Sequence, residues 1–204
     1  MTRGEPFVVG QVVVEKSTTW SVLYNRSYAT VTVQGGTPEV YVLLRCGAPL
    51  PPANAMAAGA TLISVPVSRT AALETPALPL ISVLMGTPTL VAFQNMPLVS
   101  TPAVRDRVSA LVGTASPVVD SAYPCIQWDA PSTCTNYSAI NAAKPSVVFA
   151  GYWTAAEARA GGCENVVLLN ELNEASPLGR AEYLKASRRP SPSSRPPFSR
   201  LPFT

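Results

Sequence analysis

The sequence predicts an α/β fold: a Rossmann-like lobe with a mainly parallel sheet, preceded by a β-ribbon. Residues 1–60 are dense in β-branched and aromatic side chains and are broken by Gly-Gly and Pro clusters, a pattern of short strands and turns. From residue 61 to 185, short apolar runs alternate with segments opened by Ser-Pro or Thr-Pro and closed by Gly. Apolar runs without polar alternation suit strands of a parallel sheet covered on both faces. Residues 186–204 carry neither pattern and form a third section, basic and rich in Pro and Ser.

Each element follows from local chemistry. FVVGQVVV (7–14) and WSVLYNRSYATVTV (20–33) are strand candidates, the second with a bend at Asn25-Arg26. Gly35-Gly36-Thr37-Pro38 turns the chain into EVYVLLR (39–45), and CGAPLPPANA (46–55) reads as loop. TLISVPV (61–67) is the first strand of the second section and ends in Ser68-Arg69-Thr70. PALPLISVLMG (76–86) is a helix with Gly86 placed for a left-handed C′ residue. TLVAF (89–93) is a buried strand, and Thr101-Pro102 caps a helix over 102–112. A helix over 135–143 precedes the strand SVVFA (146–150). Residues 154–159 form a short helix before Gly161-Gly162, and NVVLL (165–169) is the next strand. Ser176-Pro177 then caps a helix over 176–186.

Composition narrows the function classes. The 204 residues include 21 Pro and no His, with only 13% charged. Without His there is no Ser-His-Asp or Cys-His catalysis, no mixed Cys/His zinc site and no histidine pH switch. No G-x-G-x-x-G or P-loop motif is present, which argues against a nucleotide cradle. The net charge of +3 belongs to the tail: Lys185, Arg188, Arg189, Arg195 and Arg200 face no acid in 185–204, and residues 1–184 carry net −2. That tail lacks periodicity, basic–aromatic interleaving and P-x-x-P spacing, so it is expected to be disordered and solvated rather than bound to nucleic acid.

The compartment is open on the residues alone. No secretory signal is read in Met1–Gly10, yet Asn25-Arg26-Ser27 and Asn136-Tyr137-Ser138 are glycosylation acceptor triplets. Four cysteines, 46, 125, 134 and 163, allow three pairings. Cys125 and Cys134 bracket a turn-rich loop and form the easiest disulfide to close, with free thiols as the alternative.

Four stretches carry a family resemblance: WSVLYNRSYATVTVQ (20–34), TLISVPVSRTAALETPALPLISVLMG (61–86), AINAAKPSVVFA (139–150) and NELNEASPLGRAEYLK (170–185). In this order the chain resembles the helical-backbone class of periplasmic solute-binding proteins, which serve ABC importers of iron-siderophores, haem and cobalamin. The resemblance implies a lobe that binds a bulky metal chelate or tetrapyrrole, acting without a cofactor as a monomer in a secretory or extracellular setting. It implies a long connecting helix starting at Ser176-Pro177-Leu178-Gly179, with the family's second lobe missing. A membrane permease is the implied partner, but Ser138 stands where the family carries its docking acid, and Ser146 where it carries Asp.

Ligands of parallel α/β sheets collect outside the carboxyl ends of the strands. Arg69, at the end of 61–67, is a candidate to pair with an anionic chelate or propionate. Tyr152 and Trp153, after 146–150, offer flat apolar surface for a ring system. Asn170 lies at the end of 165–169, and Tyr123, with Trp128, flanks Cys125 in a Pro-rich loop. Glu171 and Glu174 are a carboxylate pair suited to acid–base work or a cation, but acids are expected before a helix N-terminus for dipole reasons alone. The leading expectation is therefore a non-enzymatic solute-binding module. An interaction protein or vestigial product without solute binding is the alternative, and an α/β enzyme using Glu171 and Glu174 a remote one. No catalytic or metal residue is assigned.

Overall fold

The structure, a computed structural model, describes residues 12–25, 27–84, 86–94, 96–111, 119–120 and 135–186. Most of the expected strand over 7–14, the Cys125–Cys134 loop with Tyr123, and the tail beyond 186 lie outside these residues. Residues 12–14, which are described, are not strand.

The first sheet contains β1 (Trp20–Tyr24), β2 (Tyr28–Val33), β3 (Glu39–Arg45) and β4 (Thr61–Val65), in that spatial order. β1 and β2 form an antiparallel hairpin, with Tyr24 opposite Ala29 and Trp20 opposite Val33. The expected bend at 25–26 is therefore a full reversal. β3 continues the antiparallel meander, and β4 adds parallel to it. This differs from the expectation for 61–67: β4 extends the ribbon sheet across residue 60 and takes no part in the second sheet.

The second sheet is parallel throughout and has the order β7-β6-β5-β8-β9. Its strands are β5 (Thr70–Ala72), β6 (Leu90–Phe93), β7 (Val119–Asp120), β8 (Val147–Gly151) and β9 (Val166–Leu169). Helices α1 (Ala77–Val83), α2 (Pro102–Leu111), α3 (Tyr137–Ala142) and α4 (Ala155–Ala160) connect successive strands, and α5 (Pro177–Ala186) follows β9. Ala71, Leu90, Ala92, Phe93, Val148 and Ala150 are fully buried. That burial explains runs with no polar alternation, because helices cover both faces.

Local capping matches the sequence in several places. Ser176 Oγ accepts the Gly179 N–H at 2.8 Å, and Pro177 opens α5. Asn136 caps α3 by accepting the Ala139 N–H at 3.0 Å. Gly86 differs: its φ is −85°, so it is not the left-handed residue expected. Its N–H donates to Ile81 O at 2.8 Å, and a Cβ there would lie 3.0 Å from that same oxygen. A tight approach, rather than a positive φ, selects glycine.

The two sheets meet at the outer edge of β9. The Leu168 N–H donates to Tyr41 Oη at 2.8 Å, and Arg159 pairs with Glu39 at 2.6 Å. Tyr41 Oη donates to Glu39 in turn. Burial is the largest influence raising the Tyr41 phenol, which stays neutral and serves as a fixed joint.

Candidate functional site

The chain leaves β5 toward β6 and β7 on one side, then returns to the other side of β5 as β8. Loops leaving adjacent strands in opposite directions open a crevice at their carboxyl ends. Here those strands are β5 and β8, and the crevice is lined by Glu74, just past β5, and by Gly151 and Thr154 at the end of β8. The Leu73 N–H donates to Phe149 O at 2.8 Å, tying the two strand ends together.

Glu74 is half-buried. Thr154 Oγ1 donates to its Oε1 at 2.9 Å and accepts the Gly151 N–H at 3.0 Å. A Cβ on Gly151 would come within 2.6 Å of Glu74 Cδ and 2.8 Å of its Cγ. Only glycine leaves room for the carboxyl against the strand. Burial pushes the Glu74 carboxyl above its ordinary range; the Thr154 hydrogen bond opposes this and the charge of Glu171 adds to it. Burial also raises Glu171, with a backbone hydrogen bond and Arg180 opposing.

Tyr152 and Trp153 stand beside this crevice. Trp153 is 76% exposed and Tyr152 42%, with rings edge to face at a 5.1 Å centroid separation. Tyr152 packs over the Gly35-Gly36 turn, where a Cβ on Gly36 would lie 3.1 Å from the Tyr152 hydroxyl. Removing large aromatic surface from water is a strong driver of association. A tryptophan this exposed is available for such a contact.

The other candidates sit elsewhere or are already engaged. Arg69 precedes β5 rather than following a strand, so it lies at the amino edge, opposite the crevice. Its guanidinium donates to Ala143 O and Lys144 O, capping the end of α3. The misplacement arises because Arg69 follows the 61–67 run in sequence, but that run ends a different sheet. Asn170 is at a carboxyl end as expected, but it is buried: its amide donates to Gln34 O and its oxygen accepts from Asn173. Tyr123, Cys125 and Cys134 lie outside the described residues. Cys46 and Cys163 are free thiols, and burial pushes the Cys163 thiol up.

Glu171 and Glu174 do not act as a pair. Glu174 is buried and accepts from Ser17 Oγ and the Thr18 N–H, each at 2.8 Å, and from the N–H and hydroxyl of Thr19. Those bonds, led by Ser17, hold its carboxyl down to about 2. Glu182 on α5 takes the preceding N–H groups, from Glu15, Lys16 and Ser17, and the Lys185 ammonium. Burial works against the Glu182 charge, but Lys185 and the backbone donors outweigh it and hold it at about 2. Together the two carboxylates gather successive N–H groups of residues 15–19 and fasten this non-strand segment to α5.

Glu74 was missed by sequence reasoning because β5 is only Thr-Ala-Ala, too short and small to register as a strand. Among the described residues, no cluster of three or more Cys, Asp or Glu is placed to hold a metal ion, and no helix is long and apolar enough to cross a membrane. No protein-family model, curated protein or solved structure matches this chain.

Proposed function

We propose that this chain is a non-enzymatic solute-binding lobe that holds a bulky, flat ligand at the crevice between the carboxyl ends of β5 and β8. The ligand class is a metal chelate or tetrapyrrole. The observation that carries this reading is the exposed Tyr152–Trp153 pair directly beside a topological switch point. In the second sheet's own chain order the strands run 3-2-1-4-5, the doubly wound arrangement of Rossmann-like folds, whose ligands sit at that point. The sequence resemblance to ABC-importer binding proteins over residues 20–185 supports the same class.

Acid–base catalysis is less well supported, because Glu174 is engaged by the 17–19 segment and holds no proton near neutral pH. Ser138, in place of the family's docking acid, gives no support to a permease contact.

Fluorescence titration with haem, cobalamin and a ferric siderophore tests this reading. Trp20 is 3% exposed and provides a shielded background. Binding of at least one ligand should quench emission, and Trp153→Phe should remove most of that quenching. No response to any ligand, or quenching unchanged in Trp153→Phe, refutes the reading.

A further inference from the structure

We infer that the crevice selects flat ring systems bearing positive charge over anionic ones of the same shape; this rests on the solute-binding reading above. Two independent features support it.

The first is the distribution of charge around the strand ends. The described stretches that follow β5, β8 and β9, residues 73–76, 152–154 and 170–176, contain no Lys or Arg. Basic residues next to this sheet fall at the opposite edge instead: Arg69 before β5 and Lys144 before β8. Four arginines lie in helices that leave the carboxyl edge. Arg105 and Arg180 have their Nε bound to loop carbonyls, Val99 O at 2.6 Å and Glu174 O at 2.9 Å, while Arg107 and Arg159 reach back to Leu90 O and Val166 O at the amino ends of β6 and β9. The carboxylates of Glu74 and Glu171 lie within electrostatic reach of each other at the switch point, and Arg180 offsets part of the Glu171 charge. Like charges in a cleft with low-dielectric walls exclude anions and concentrate cations.

The second feature is the aromatic pair. A tryptophan face exposed to solvent attracts a cation through its ring quadrupole, most strongly for weakly hydrated, delocalised cations. The edge-to-face packing of Tyr152 fixes the orientation of Trp153. Aromatic surface and two carboxylates favour the same chemistry. A carboxylate-rich siderophore or a propionate would face the Glu74 and Glu171 carboxylates, offset in part by Arg180 beside Glu171.

The test uses two porphyrins with the same ring, one with four N-methylpyridinium groups and one with four sulfonatophenyl groups. Each is titrated at low ionic strength, reading the quenching that Trp153→Phe abolishes. The cationic porphyrin should bind about tenfold more tightly, an effect of the size expected for focused charge plus cation–π contact. Added salt should narrow the gap. The double variant Glu74→Gln, Glu171→Gln should bring the two affinities within about threefold, whereas Glu164→Gln, an exposed acid at the amino edge, should leave the ratio unchanged. Equal or tighter binding of the sulfonated porphyrin overturns the charge preference and leaves solute binding intact. So does a preference that survives the double variant or disappears in Glu164→Gln. If neither porphyrin quenches Trp153, the solute-binding reading itself fails.

Discussion

Gly179→Ala should destabilise the protein, although a helix normally gains from this change. Gly179 is the third residue of α5, and an unstrained Gly→Ala inside a helix contributes up to about 1 kcal/mol. Here the new methyl would lie 2.6 Å from Glu174 Oε1 and 2.7 Å from its Cγ. Glu174 cannot rotate away without releasing Ser17, Thr18 and Thr19. Overpacking at a site that cannot relax costs up to about 3 kcal/mol. Subtracting the helix gain leaves a net loss of about 2 kcal/mol, or a fall in Tm of about 4–8 °C for a chain of this size. Thermal unfolding followed by circular dichroism measures it directly. If overlap with Glu174 is the cause, Gly179→Ala should cost much less in a Glu174→Ala background, because contacting sites are not additive. An unchanged or raised Tm, or strict additivity, would refute the clamp of Glu174 on the amino-terminal segment.

Further outcomes follow from the same contacts. Arg69→Ala should cost at most about 1 kcal/mol by removing its exposed hydrogen bonds to Ala143 O and Lys144 O just past α3, with no change in ligand quenching; a loss of binding would place Arg69 at the site after all. Lys144 holds a left-handed φ of 47°, so Lys144→Gly should raise stability by about 0.5–1 kcal/mol in urea unfolding; a loss would contradict that conformation. Glu182 has a folded-state carboxyl at about 2 against an ordinary 4.5. Its stabilisation is therefore complete above pH 4.5 and lost as pH falls toward 2. Glu182→Gln should flatten the stability profile across that window and leave its slope above pH 6 unchanged; an unaltered acid limb would contradict the assignment. Gly151→Ala should displace the Glu74 carboxyl from Thr154 and weaken binding of a cationic porphyrin severalfold, and unchanged affinity would count against Glu74 as part of the site.

Much of the architecture was legible where an element carries its own signals. EVYVLLR, bounded by Gly-Gly-Thr-Pro and Cys-Gly, became β3 at the expected residues, and Ser176-Pro177 opened α5 as its capping chemistry requires. Elements defined by distant pairing were not legible. TLISV has the composition of a parallel strand, but nothing local says that its partner is β3 rather than β8. Thr70–Ala72 is a strand because β6 and β8 flank it, not because Thr-Ala-Ala favours one. Placing the first parallel strand one segment early moved Arg69 to the wrong edge and hid Glu74. Tyr152 and Trp153 could be placed just past a strand's carboxyl end because β8 is a continuous apolar run that ends within one residue of its pattern. The engagement of Glu174 and Glu182 depends on contacts spanning more than 150 residues, which no local pattern encodes.

Amide chemical-shift mapping of the nitrogen-labelled protein, titrated with a metal-free cationic porphyrin, tests solute binding at the switch point most directly. Leu73, Glu74 and Gly151 through Thr154 should shift together and saturate with one affinity, while Arg69, Lys144 and Glu164 at the opposite edge stay fixed. Shifts centred on that opposite edge, or none in either group at saturating ligand, would contradict the account.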